Sequence, residues 1–172
     1  MNQNSSKHET GLCVVNLPTI FHSFGGIRID YDESWIREIA ICRDEIREIT
    51  ADFAMLPNHV QAVVDWFREY ERGEFKYPDI SRMHFLTGKT EFGRAVYSSL
   101  LAIPHGKILT YAELARLAGY AKAARAVGHL MAINRYPIVI PCHRVCGKTN
   151  PWLYAFGADV KRELLRHEGV EI

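Results

Sequence analysis

No stretch of the 172-residue chain approaches the roughly 20 consecutive apolar residues that a membrane-crossing helix needs. The opening MNQNSSKHET also lacks the apolar segment of a secretory signal. These absences predict a soluble globular protein of the cell interior, cytoplasmic, or nuclear if the source is a eukaryote. Cysteine is scarce: Cys13, Cys42, Cys142 and Cys146 are too few and too unevenly spaced for a disulfide framework, so reduced thiols are expected. Charge of one sign is lacking too, since 21 Lys and Arg against 20 Asp and Glu leave a formal net of +1, which names no partner. There is no internal repeat and no low-complexity tract. What remains is a chain with 48% apolar residues, long enough to bury a core as one domain or two small ones.

Charge is unevenly distributed. Between Lys107 and Arg144 there are six basic residues (Lys107, Arg116, Lys122, Arg125, Arg135, Arg144) and one acid, Glu113, a local net of +5. This is either a phosphate-facing patch or an ordinary solvated face, and charge alone does not choose between them.

The first ten residues are polar and expected to be disordered. Residues 12–20 and 27–41 alternate or cluster apolar side chains like strands around the turn signal Gly25-Gly26, predicting a small sheet. From Pro57 to Gly73, Val60, Val63, Val64, Trp66, Phe67 and Tyr70 recur at helical spacing, and that helix is expected to pack on the sheet. Residues 75–89 have weak periodicity, with Pro78 and Gly88, and read as a linker with the domain boundary near residue 87. Thr90 can cap a helix running to the Ile103-Pro104-His105-Gly106 turn, and Thr110 another over 111–117. Gly119 makes a tight turn into an Ala-rich helix over 122–133, so the pair is either a helix-turn-helix or a plain helical hairpin. Residues 159–168 read as a closing helix with Val160, Leu164 and Leu165 inward.

The apolar run Pro137-Ile-Val-Ile-Pro141 stops at Cys142-His143-Arg144. Core segments seldom end in a thiol, an imidazole and a guanidinium together. A cysteine is a useful nucleophile only as thiolate, so a catalytic one needs a neighbour that removes or balances its proton. Side chains adjacent in sequence need not touch, however, and a small buried hydrophobe is the other reading of Cys142. A zinc site at Cys142, His143 and Cys146 is a third, weakened by the lack of a second ligand pair at zinc-finger spacing.

The segment Ile140-Pro141-Cys142-His143-Arg144-Val145 resembles the active-site signature of the O6-alkylguanine-DNA alkyltransferase family. Thr90-Glu91-Phe92, Ile103-Pro104-His105-Gly106, Thr110 to Ala115, Ala123 to Gly128 and Asn134 follow the family's order and spacing. The resemblance covers residues 90–169 well and the amino-terminal part loosely. It implies an α/β (α+β) protein with two parts. Residues 1–86 form a ribonuclease H-like domain with a small sheet. Residues 87–172 form a mainly helical domain that carries the active site and a DNA-binding helix-turn-helix.

The implied activity is direct-reversal DNA repair. An alkyl group moves irreversibly and stoichiometrically from O6-alkylguanine, with O4-alkylthymine as a further substrate class, to Cys142 after the base is flipped from the duplex. By the same resemblance His143 acts through a water as base, Glu168 orients the imidazole, Asn134 helps hold the site and Tyr111 donates to N3 of the base. Arg125 fills the space the base leaves. Ala124, Ala126 and Gly128 permit close approach in the minor groove, while Lys122 and Arg144 meet phosphate. The base pocket is assigned to Met131, Pro137, Tyr154, Ala155 and Phe156, with the carbonyls of Cys142 and Val145 as acceptors. No cofactor and no metal are implied, and the partner is double-stranded DNA, bound by a monomer with little sequence preference and no membrane.

The loop CGKTNPWL after Val145 departs from the family pattern, and Phe156 occupies a position that is glycine in many members, which predicts a narrower pocket. The alternative is a non-enzymatic relative that binds the lesion without transfer, but such relatives lack the reactive cysteine. A helix-turn-helix regulator is less well supported, because the small-residue helix offers few long polar side chains to read base edges.

Overall fold

A computed structural model describes residues 10–16, 23–43, 52–83 and 90–172. The expected disordered start as far as residue 9, residues 17–20 of the first strand-like stretch, and the boundary near residue 87 lie outside those residues. Three strands, β1 (Gly11–Asn16), β2 (Gly26–Tyr31) and β3 (Ile36–Cys42), form an antiparallel sheet in the order β1-β2-β3. Alternation works as expected in β2, where Ile27 and Ile29 point into the core, and Ile39 and Ile41 of β3 do the same. The reversal between β2 and β3, however, lies at residues 32–35, where Asp32 Oδ1 accepts from the amides of Ser34 and Trp35, both at 2.9 Å. Gly26 is not in a turn and instead begins β2.

Helix α1 (Asn58–Glu71) buries Val60, Val63, Val64, Trp66, Phe67 and Tyr70, the face its spacing predicts. Gly73 stops it in the left-handed region, φ 78°. Helix α2 (Glu91–Leu101) begins at Thr90, whose hydroxyl accepts from Gly93 N at 3.1 Å. Helix α3 (Tyr111–Leu117) starts with a full capping box: Thr110 Oγ1 accepts from Glu113 N, and the Glu113 carboxylate accepts from Thr110 N. After Gly119, φ 85°, the chain enters α4 (Ala124–Ala132), which packs on α3. Helix α5 (Ala158–His167) closes the chain. Among the described residues no helix is long and apolar enough to cross a membrane.

A two-residue parallel pair, β4 (Leu109–Thr110) with β5 (Val145–Cys146), matters more for the site than its length suggests. It fastens the start of α3 to the segment just after Cys142, so Tyr111 and Cys142 lie close together. The apolar run before Cys142 is buried, from Tyr136 to Ile140. It is tied to the amino-terminal sheet by Ile39 N donating to Arg135 O at 2.8 Å and by the Tyr136 hydroxyl donating to the carbonyls of Ile36 and Arg37. Ile138 sits at φ 71°, costly for a β-branched residue and found where surrounding packing overrides local preference. Buried side chains of the sheet, α1 and the later helices form one continuous core.

Candidate active site

Cys142, His143 and Arg144 form a buried turn of 3-10 helix. Two hydrogens of the Asn134 amide hold the bottom of the site: Nδ2 donates to Ile140 O at 2.9 Å and to Cys142 Sγ at 3.0 Å. The amide's orientation is fixed because Tyr136 N donates to Asn134 Oδ1 at 3.0 Å. Tyr154 Oη lies 3.9 Å from Sγ on the other side. Burial raises the Cys142 thiol above its ordinary range, while Asn134, Tyr154 and the Lys161 ammonium pull it back. The resting sulfur is therefore held mainly as thiol, and ionising it calls for a base.

The base candidate is the next residue along the chain. His143 Nε2 bonds Glu168 Oε1 at 2.8 Å. Glu168 also accepts from Arg144 through Nε at 2.7 Å and Nη2 at 2.8 Å, and from the Tyr70 hydroxyl at 2.8 Å. Burial alone would raise this carboxyl, yet His143 and Arg144 hold it well below the usual carboxylate range. An anion ringed by donors has no proton to give, so Nε2 carries the imidazole hydrogen and Nδ1 is left as the acceptor. Nδ1 has no hydrogen-bond partner among the described residues. Burial lowers the imidazole's affinity for a second proton, with Glu168 opposing, and the ring stays neutral.

Arg144 was expected at the DNA surface and is not there. It is 4% exposed, and its Nη1 donates to Ile103 O at 2.6 Å. The reason is Glu168, whose buried charge requires a buried counter-ion. The other five basic residues of the stretch are exposed: Lys107, Arg116, Lys122, Arg125 and Arg135. On α4, Arg125 and Ala126 face solvent while Ala124 and Gly128 are half-buried.

Above the thiol opens a cavity of about 250 Å³ lined by Tyr111, Gly128, Met131, Ala132, Cys142, Leu153, Tyr154 and Ala155. It lies below the roughly 300–1,000 Å³ typical of drug-sized sites, a size suited to one small planar group. Six of these residues were expected at the site. Three pocket assignments need correction. Pro137 is buried and bridges to Ile140, and Val145 is 1% exposed with its carbonyl taken by Lys161 Nζ at 2.7 Å. Phe156 packs on the Tyr154 ring, centroids 5.5 Å apart, rather than in the cavity, so it does not narrow it directly. Gly157 follows at φ 108° and ψ 152°, a backbone conformation that L side chains rarely adopt, while Arg43 Nη2 grips Phe156 O and Asp159 Oδ1, each at 2.7 Å.

Sequence reasoning missed Lys161, Tyr70, Leu153 and Ala132. Lys161 is fully buried on a helix whose pattern places lysines outside, and its charge acts on both Cys142 and Cys146. Among the described residues no group of three or more His, Cys, Asp or Glu could hold a metal ion.

His105 packs against this cluster, stacked on Phe75 at 4.6 Å. Burial and the nearby Arg144 charge push its pKa down to about 4. Between that value and the roughly 6.5 of an unfolded histidine, the unfolded chain binds more protons, so stability is fully present above about pH 6.5 and is lost as pH falls toward 4. Urea unfolding at stepped pH should show this slope, and His105→Asn should flatten it. An equal slope in both proteins would assign it elsewhere.

A neutral imidazole held by a buried carboxylate, one residue along the chain from a thiol that lines an open cavity, points to a protein that uses cysteine as nucleophile. A family model described as "6-O-methylguanine DNA methyltransferase, DNA binding domain" matches residues 91–170. The methylated-DNA–protein-cysteine methyltransferase of Methanosarcina acetivorans is 35% identical over 164 residues, covering 94% of this chain and 87% of the relative. That of Shigella flexneri is 42% identical over 106 residues, covering 61% of each. The crystal structure of Mycobacterium tuberculosis OGT in complex with DNA aligns with TM-score 0.70 and 28% identity over 91% of both chains. The chain belongs to the methylated-DNA–protein-cysteine methyltransferase family, as a DNA-repair enzyme that moves an alkyl group from DNA onto a cysteine of its own.

Proposed function

We propose that Cys142 is the acceptor and that the cavity above it receives O6-alkylguanine flipped out of double-stranded DNA. The observation that carries this is the position of Sγ, on the cavity floor within 3.0 Å of Asn134 Nδ2 and one residue from the only imidazole held by a buried carboxylate among the described residues. In the reaction His143 Nδ1 takes the thiol proton through a water. The Sγ lone pair then forms a bond to the alkyl carbon while the carbon–O6 bond breaks. The electrons of that bond pass into the purine, which the Tyr111 hydroxyl steadies at N3 and which regains a proton at N1. The thiol proton thus ends on guanine, the alkyl group on sulfur, and no cofactor is consumed. The thioether is not readily displaced, so each molecule acts once. O4-alkylthymine is a smaller substrate for the same cavity.

Residues α3 to α4 act as a helix-turn-helix whose second helix lies in the minor groove, where Ala124, Ala126 and Gly128 allow close approach to a groove about 6 Å wide. Lys122 meets phosphate, and Arg125 takes the flipped base's place in the stack. The amino-terminal part up to residue 86 is the ribonuclease H-like unit, the remainder the active unit, and a monomer suffices because every proposed group lies on one chain. Adduct mapping on Cys142 tests the acceptor. For Arg125, the Arg125→Ala protein should react about ten- to a hundredfold more slowly with duplex, the scale of a few kcal/mol of unstacking, yet normally with free O6-alkylguanine base. Equal slowing on both substrates would remove Arg125 from the flipping step.

A further inference from the structure

We propose that Tyr70, carried by α1 in the amino-terminal half, is a positioning residue for alkyl transfer, its phenol fixing the Glu168 oxygen that sets the tautomer of His143. The proposal rests on the reading of Cys142, His143 and Glu168 given above. Tyr70 is 1% exposed and its hydroxyl donates to Glu168 Oε1 at 2.8 Å, across 98 positions of sequence. A buried phenol needs some acceptor. This one has the same oxygen that receives His143 Nε2.

The ring cannot swing away. It stacks on Trp66 at 5.4 Å and meets Phe75 and His167 edge-on at 5.6 Å and 5.1 Å. His167 Nε2 also bonds the Tyr70 carbonyl at 2.6 Å. Three donors therefore converge on Oε1, from His143, Tyr70 and Arg144, where a carboxylate oxygen has about two lone-pair sites. Each donor withdraws charge that the oxygen would otherwise direct at the imidazole. With the phenol in place, the pull of Glu168 on a doubly protonated imidazole is tempered, and Nδ1 stays free to accept the thiol proton. Without it, Oε1 concentrates its charge on His143 and favours the imidazolium, which cannot act as base.

The other groups facing this cluster are Arg144 from the same turn as His143, Lys161 and His167 from α5, His105 from the segment before β4, and the Tyr154 phenol and Cys142 thiol. All of them stay in place when Tyr70 alone is changed, so a difference between two pH profiles isolates the phenol.

The test is single-turnover transfer by the full chain from duplex oligonucleotide bearing O6-methylguanine, resolved into DNA affinity and limiting rate across pH. Tyr70→Phe should leave affinity within about twofold, lower the limiting rate about tenfold, and move the acid limb of the profile to higher pH. Incorporating 3-fluorotyrosine at position 70 keeps the shape and makes a stronger donor, so its acid limb should move to lower pH. Limbs that coincide in all three proteins, or a rate loss matched by an equal loss of affinity, overturn the proposal. His143→Gln separates the two readings. If that variant keeps an acid limb, the assignment of His143 as base fails. If it loses the limb while Tyr70→Phe leaves it unmoved, only the role of Tyr70 fails.

Discussion

Cys142→Ser is expected to abolish alkyl transfer and to leave DNA affinity within about twofold. A serine hydroxyl holds its proton far more tightly than a thiol and is a much weaker nucleophile toward a saturated alkyl carbon. Affinity should survive because the sulfur lines the cavity, whereas the basic side chains available to phosphate are exposed on and around α4. The adduct site can be read directly. Trypsin cleaves after Arg135 and Arg144, which places Cys142 in residues 136–144 and Cys146 in residues 145–148. Cys13 and Cys42 fall in two further peptides. After incubation with methylated duplex, the added mass belongs on the 136–144 peptide alone. Mass on the 145–148 peptide, or residual transfer by Cys142→Ser, would move the acceptor to another thiol. Cys146 is the natural competitor, being half-buried and touched by the same Lys161 charge, but burial raises its thiol and no imidazole is held against it among the described residues.

What the sequence reveals about this site follows a physical rule. Features set by near neighbours were legible: the caps at Thr90 and Thr110, the buried face of α1, the turn at Gly119, and the abrupt end of an apolar run in Cys142-His143-Arg144. Features set by contacts between distant residues were not. Arg144 read as part of a basic surface because its partner Glu168 is 24 positions away, and only the fold reveals that the pair is buried. Lys161 is a charge on an amphipathic helix, which pattern places outside, until Val145 O and the two thiols are brought to it. Tyr70 counted as one more apolar position of α1, since nothing local tells a core phenol from one bound to a buried carboxylate 98 positions away. The reversal at residues 32–35 was missed for a different reason: it is built by an Asp32 side chain, and the glycine pair nearby was the louder turn signal. The resemblance supplied Glu168 and Asn134, which composition and spacing alone would have left as a surface acid and a helix end.

Glu168→Gln tests the buried relay as a whole, with a large expected effect on both rate and stability. The substitution keeps the shape of the side chain and removes its charge. The site then offers one carbonyl oxygen to donors from His143, Tyr70 and two nitrogens of Arg144, and adds an amide donor among them. Arg144 becomes a buried cation without a counter-ion, a change that costs about 3–5 kcal/mol in comparable pairs. His143 loses the anion that fixes hydrogen on Nε2, and the limiting rate should fall about 10²- to 10⁴-fold, the range for loss of general-base assistance. Because Glu168 is held well below the usual carboxylate range, the stability it contributes is present above about pH 4.3 and disappears as pH drops toward its folded value. Acid unfolding of the parent should therefore be steep in that window and that of Glu168→Gln shallow. The two effects can be separated by removing the other charge as well. Glu168→Gln combined with Arg144→Met removes both charges of the pair together, so stability should return in large part while transfer stays low. If transfer recovered along with stability, Glu168 would be a structural counter-ion to Arg144 and nothing more, and His143 would need no carboxylate to act on the thiol.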